Sequence, residues 1–177
     1  MNKYAIVVMR CSPPHKGHQK VIQKMIDDCG VENCLLLIGS SNAPLSWRVL
    51  FPYYKRRAWI KRLFKDLKVI GIPDTIDAND SEWFDMLDDY ISAVFPDADN
   101  SNITFYGGSR DDVSWFYTHG KRHVEIVNRE TYPISATKVR QMLLNGMSID
   151  EVVDKRIVKE VVEAFNSNLE KLDKLRG

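Results

Sequence analysis

Several absences narrow the reading of this chain before any motif is considered. No run of apolar residues approaches the ~20 needed to cross a bilayer as a helix, so no membrane span is expected. Met1-Asn2-Lys3 leads straight into a strand-like stretch, which is unlike the start of a signal peptide. Cysteine is scarce. Cys11, Cys29 and Cys34 are an odd number at no familiar spacing, and a reduced, cytoplasmic setting is the simplest reading. Charge of one sign is not in excess: the formal net charge is +1. That is too little to draw in nucleic acid or an anionic membrane through a long-range field, so any anion must be held by local groups. No internal repeat, low-complexity tract or linker breaks the chain.

What is present suits a single domain over residues 1–177 with a real core, 44% hydrophobic and 28% charged. The hydrophobic pattern alternates in type. Residues 4–9, 34–38, 69–72, 103–106 and 124–127 read as buried strands, the second stopped by Gly39-Ser40-Ser41. Residues 17–29, 52–67, 81–95 and 135–144 read as helices, and 154–175 as one or two more in a helical C-terminal part of about 148–177. In 52–67, Trp59, Ile60, Leu63 and Phe64 face inward and the basic residues mostly outward. Such alternation predicts an α/β fold, a doubly wound parallel sheet with helices on both faces. Ligands of such sheets bind beyond the carboxyl ends of the strands. The polar segments 10–18, 39–48, 73–83, 107–111 and 132–137 all fall there, so one shared site is expected.

The segment Ser12-Pro13-Pro14-His15-Lys16-Gly17-His18 follows the first strand. The prolines hold the chain extended, and a helix begins near Lys16 or Gly17. His15 and His18, three apart, share one side of its first turn. Gly17 allows close approach, and the helix start offers free amides to a phosphate. An imidazole pair there suits charge stabilisation during phosphoryl transfer. Two surface histidines, or a metal bound by Cys11, His15 and His18, are the other readings, the latter at no standard zinc spacing. Far downstream, Ile134-Ser135-Ala136-Thr137-Lys138-Val139-Arg140 places a cap serine, a threonine and two cations at another helix start, a cradle for a triphosphate tail. An ordinary capped helix with a basic face is the alternative.

With both segments in view, the chain resembles the H-x-G-H nucleotidyltransferase superfamily, whose second motif reads roughly I-S-S/A-T-x-x-R. Within it, the chain is most similar to the nicotinamide mononucleotide (NMN) adenylyltransferases of the archaeal kind. It is closer still to the adenylyltransferase half of bacterial proteins that also carry a Nudix hydrolase, a partner domain not expected within these 177 residues. Arg10-Cys11-Ser12-Pro13-Pro14-His15 resembles G-R-F-Q-P-x-H, with Met9 and Cys11 departing. Ile38-Gly39-Ser40, Arg48, Phe51 and Arg56 resemble I-G-S and R-x-P-F-T-x-x-E-R, with Leu50, Pro52 and Lys55 departing. Asn79-Asp80-Ser81-Glu82-Trp83 is similar to N-D-N-x-W. The run from Gly107 to Phe116 resembles G-H-x-K-D-x-S-x-Y-Y, with Gly108 for the histidine and Arg110 for the lysine.

The resemblance implies a Rossmann-like fold and the reaction of ATP with NMN to give NAD and pyrophosphate. It implies that His15 and His18 hold the triphosphate, His18 at the α-phosphate, and that Ser135, Thr137 and Arg140 hold the β- and γ-phosphates. Arg10 and Arg48 would neutralise phosphates bridging the two substrates, with Lys16, Gly17, Gly107 and Arg110 also on the ATP side. Trp83 would stack on nicotinamide, with Asn79, Asp80 and Ser40 beside the NMN. From periodicity alone, Trp83 is a core aromatic at helical spacing with Leu87 and Tyr90. Mg2+ would arrive with ATP, held by phosphate oxygens and water rather than by protein ligands. A homo-oligomer is expected, since Val158, Val162, Phe165, Leu169 and Leu172 recur at coiled-coil spacing. For the helix itself the favoured account is the blander one, a terminal helix packed on its own domain. Nicotinic acid mononucleotide, phosphopantetheine and glycerol phosphate are the competing acceptors, and a module that senses NAD or ATP without turnover is the competing role.

Overall fold

A computed structural model describes residues 2–75, 79–128 and 133–176. Its centre is a five-stranded, wholly parallel sheet in the order β3-β2-β1-β4-β5. The strands are β1 (Tyr4–Met9), β2 (Cys34–Ile38), β3 (Lys68–Gly71), β4 (Ile103–Gly107) and β5 (His123–Ile126). The helices are α1 (Lys16–Cys29), α2 (Tyr53–Leu63), α3 (Asp80–Val94), α4 (Arg110–Thr118), α5 (Ala136–Leu144) and α6 (Val158–Arg176).

The expected α/β doubly wound, Rossmann-like fold is what the chain forms, and the strand sequences explain why. Side chains alternate across a strand, and β1 and β2 are apolar at almost every position, so both faces are covered. Tyr4, Ile6, Leu35 and Leu37 meet Phe84, Leu87 and Ile91 of α3 and Val113 and Phe116 of α4. Ala5, Val7, Leu36 and Ile38 meet Val21, Ile22 and Met25 of α1 and Ile60 of α2. A third core lies beside the sheet, where Leu50, Phe51, Trp59, Ile134 and Val139 pack against Val161 and Phe165 of α6.

Two details differ from the sequence reading, and the C-terminal helix takes the blander of its two accounts. The second helix is shorter, Tyr53–Leu63 rather than 52–67, because Phe64 leaves helical dihedrals and Lys61 Nζ binds the carbonyls of Lys65 and Leu67 at 2.6 and 2.7 Å. A helix not anticipated, α4, follows Gly107-Gly108. Its cap is Ser109, which accepts from the Asp112 amide, while Asp112 reaches back to the Gly108 amide at 3.0 Å. Gly107 serves this packing, since a Cβ there would lie 2.5 Å from Val113 Cγ1. The C-terminal seam is consumed at home: Phe165 and Leu172 are buried, and Val158, Val162 and Leu169 pack on the same third core. Among the described residues, no helix is long and apolar enough to cross a membrane.

Candidate active site at the carboxyl ends of the strands

Chain order reverses at β1, which has β2 on one side and β4 on the other. A ligand crevice belongs at such a switch point, outside the carboxyl ends. The segments after β1, β2, β3 and β4 carry Arg10 to His18, Ser40 to Arg48, Asp74 to Trp83, and Gly107 to Arg110. Residues 76–78 of the third segment, and Tyr132 of the segment before α5, lie outside the described residues.

The turn after β1 is made by Cys11, which takes φ 51°, and by a cis peptide between Ser12 and Pro13. A positive φ is uncommon for a residue with a Cβ. Cys11 is wholly buried in the α1-side core, and burial pushes its thiol up to about 12. It therefore stays protonated and packs as a small apolar group. Among the described residues, no three His, Cys, Asp or Glu side chains converge to hold an ion.

The histidines do something that spacing did not reveal. His15 is the N-cap of α1. Its Nδ1 accepts from the amides of Gly17 at 3.1 Å and His18 at 3.4 Å, while His18 Nδ1 accepts from the His15 amide at 3.1 Å. The two rings stack, centroids 3.7 Å apart. The Lys16 amide is taken by the Val152 carbonyl at 2.9 Å. The first-turn amides expected to face a phosphate are thus already occupied. A backbone amide can only donate, so each Nδ1 is unprotonated, and the proton of each neutral ring sits on Nε2. Lys16 Nζ lies 3.4 Å from the Asp150 carbonyl, on the side of α1 toward the chain that leads to α6.

Three arginines from three distant segments meet here. Arg140, 4% exposed, donates from Nη1 to the Ser12 carbonyl at 2.5 Å and from Nη2 to Thr137 Oγ1 at 3.1 Å. The second sequence segment is thereby bonded to the first across 128 positions. Its guanidinium lies over the Trp47 ring at 5.6 Å. Burial, then repulsion from Arg10 and Arg48, push Arg140 below its ordinary value. Burial and Arg48 do the same to Arg10, partly offset by Asp74. None of the three forms an ion pair among the described residues. Arg10 Nε, Arg140 Nε and Ser12 Oγ are buried without a hydrogen-bond partner. Clustered positive charge without an ion pair, with unfilled donors, is a site shaped for an anion.

Behind them stands Arg56, which the sequence reading had given no role. It is fully buried and binds the carbonyls of Arg10, Gly39 and Ser40 at 2.7, 2.9 and 3.1 Å. It ties the ends of β1 and β2 together and adds a fourth cation to the site. Its spacing with Trp59, Ile60 and Leu63 on the inward face of α2 was the available signal.

The remaining candidates fall on the rim. Ser135 caps α5, accepting from the Lys138 amide at 3.2 Å. Ser40, at φ 52°, donates to Asp74 Oδ1 at 3.1 Å and links the loops after β2 and β3. Gly107 ends β4, and Arg110 is the exposed first residue of α4. Asn79 caps α3 through Oδ1, and Asp80 faces His119 Nε2 at 3.5 Å. Trp83 is half-buried against Trp115, centroids 4.9 Å apart, and against Phe84 and Phe116. Trp115 was not foreseen as its partner.

No family model matches the chain, but solved structures share its fold. A bifunctional NMN adenylyltransferase/ADP ribose pyrophosphatase from Francisella tularensis superposes with a TM-score of 0.76 at 17% identity, over 98% of this chain and 54% of that one. A putative nicotinate-nucleotide adenylyltransferase from Vibrio parahaemolyticus gives 0.61 at 21% identity, over 92% and 99%. A NadR protein in complex with NAD and AMP-PNP gives 0.58 at 22% identity, over 78% and 42%. The chain thus spans about half the length of the Francisella protein. At these identities the likeness establishes the shared fold.

Proposed function

We propose that this chain is an adenylyltransferase that joins ATP to NMN, giving NAD and pyrophosphate. The observation that carries the reading is the contact of Arg140 with Ser12, which brings the two phosphate-type segments together beside Arg10 and Arg48, none of the three arginines being ion-paired among the described residues. The neighbours named for NMN and nicotinate-nucleotide adenylyltransfer support it through the common fold.

In this reading an oxygen of the NMN 5′-phosphate attacks the α-phosphorus of ATP. A P–O bond forms there, the bond to the β-phosphate oxygen breaks, and pyrophosphate leaves with the electron pair. The attacking phosphate is already ionised, so the protein needs no base, only positioning and charge stabilisation. His18 Nε2–H, with His15 beside it, meets the charge growing on the α-phosphate. Arg140, Ser135 and Thr137 hold the departing phosphates, with Lys16, Gly17, Gly107 and Arg110 at the edge of the ATP. Arg10 and Arg48 bring the two anionic substrates together. Trp83 stacks on the pyridinium ring, with Ser40, Asn79 and Asp80 around that nucleotide. Magnesium enters as part of the ATP substrate, on phosphate oxygens and water.

The test is product analysis with ATP and NMN. The parent protein is expected to release pyrophosphate and form NAD. His18→Ala is expected to cut kcat by ~100-fold or more with an unchanged circular dichroism spectrum. Near-normal NAD synthesis by that variant removes His18 from the mechanism. Turnover only with phosphopantetheine or glycerol phosphate, or binding without turnover, overturns the reading.

A further inference from the structure

The rings around Trp83 have an acidic rim. Asp80 and Glu82 lie in the first turn of α3, one turn before Trp83 or beside it. Among the described residues, two side chains able to carry positive charge pack on this ring cluster, and each has a carboxylate beside it. Arg122, 7% exposed, lies over Phe84 at 4.9 Å and gives both terminal nitrogens to Asp88 at 2.5 and 2.9 Å. His119 stacks on Phe84 at 5.9 Å, meets Trp115 edge-on at 5.8 Å, and holds Nε2 3.5 Å from Asp80 Oδ2. Its Nδ1 sits beside Thr118 Oγ1 and the Trp115 carbonyl, which orients the ring.

A pyridine stacked on Trp83 carries an amide in NMN or a carboxylate in nicotinic acid mononucleotide. A carboxylate needs a cation or a set of uncommitted donors. At this rim it meets like charges, and the imidazole that would answer it is turned to Asp80. An amide offers N–H groups to the same carboxylates, and the pyridinium ring itself carries positive charge. We infer that the Asp80–His119 pair sets the choice of pyridine nucleotide, favouring the amide by keeping His119 engaged and by adding negative charge beside Trp83. This rests on the adenylyltransfer reading above.

The experiment measures kcat/KM with ATP for NMN and for nicotinic acid mononucleotide, in the parent, Asp80→Asn and His119→Gln. The parent is expected to prefer NMN. Asp80→Asn is expected to shift the NMN-to-acid ratio toward the acid by on the order of tenfold, mainly through KM of the acid. His119→Gln leaves Asp80 uncompensated and is expected to move the ratio further toward NMN or leave it unmoved. A parent that prefers the acid overturns the inference. So does an Asp80→Asn ratio within roughly twofold of the parent's, or increased use of the acid by His119→Gln. A pair that is only a strut between α3 and α4 would raise both KM values together and leave the ratio fixed. A parent inactive with both nucleotides would instead defeat the adenylyltransfer reading itself.

Discussion

His15 and His18 each use one ring nitrogen, Nδ1, to start a helix. The residues that usually cap helices are Ser, Thr, Asp and Asn, so an imidazole cap is not legible from the string even where the spacing of the pair is. The spacing therefore shows where α1 begins, at the end of β1, but not that its first amides are already taken by His15 and by the Val152 carbonyl. Arg56 was obscured in a different way, because a basic run on a helix reads as a solvated face until three strand-end carbonyls are seen to need a donor. Trp83 separates two readings that spacing could not. Trp83→Ala is expected to raise KM for NMN by about tenfold, the loss of one aromatic stacking partner, with KM for ATP little changed, in steady-state assays varying each substrate. Equal rises for both substrates would mean that Trp83 serves the core it shares with Phe84 and Phe116.

At the scale of elements, the strands and the helices α1, α3 and α5 were readable because their apolar periods are clean. The helix α4 was hidden behind Gly107-Gly108, which reads as a loop. Its Ser109-x-x-Asp112 cap was the signal that could have found it. The terminal helix α6 shows why a heptad-like seam is ambiguous: the same spacing fits a partner helix or the chain's own third core. Here it covers that core, and its contacts reach the site. Phe165 meets Trp47 edge-on at 6.3 Å, Trp47 lies under the Arg140 guanidinium, and Asn168 donates to the Leu50 carbonyl at 3.0 Å. Phe165→Ala is expected to cost about 3–5 kcal/mol in denaturant unfolding, the range for losing a buried aromatic. It should also raise KM for ATP in whatever fraction stays folded. A stability loss with unaltered ATP kinetics would mean that α6 supports the fold without steadying Arg140.

Across the whole molecule, four loop clusters arrive at one end of the sheet because every strand runs the same way, and that much followed from alternation alone. The mutual approach of Arg10, Arg48 and Arg140 did not, because it depends on how far each loop leans over the switch point. Residues so placed repel one another, and at Arg10 and Arg140 burial removes part of the water that would soften the repulsion. The ligand-free protein carries that unfavourable energy in its folded form and loses it on unfolding, when the three charges separate. A polyanion that binds only the folded form should therefore act as a thermal stabiliser, by ~2.7 kcal/mol at a hundredfold excess over its Kd. Pyrophosphate or ATP is expected to raise Tm in a differential scanning experiment, and sulfate at equal ionic strength much less. In Arg140→Gln the starting Tm would reflect two opposing changes, lost contacts and relieved repulsion, but the increment on adding pyrophosphate should fall. The site thus acts as a thermometer of its own occupancy, so ligand screening by melting temperature can precede any assay of turnover.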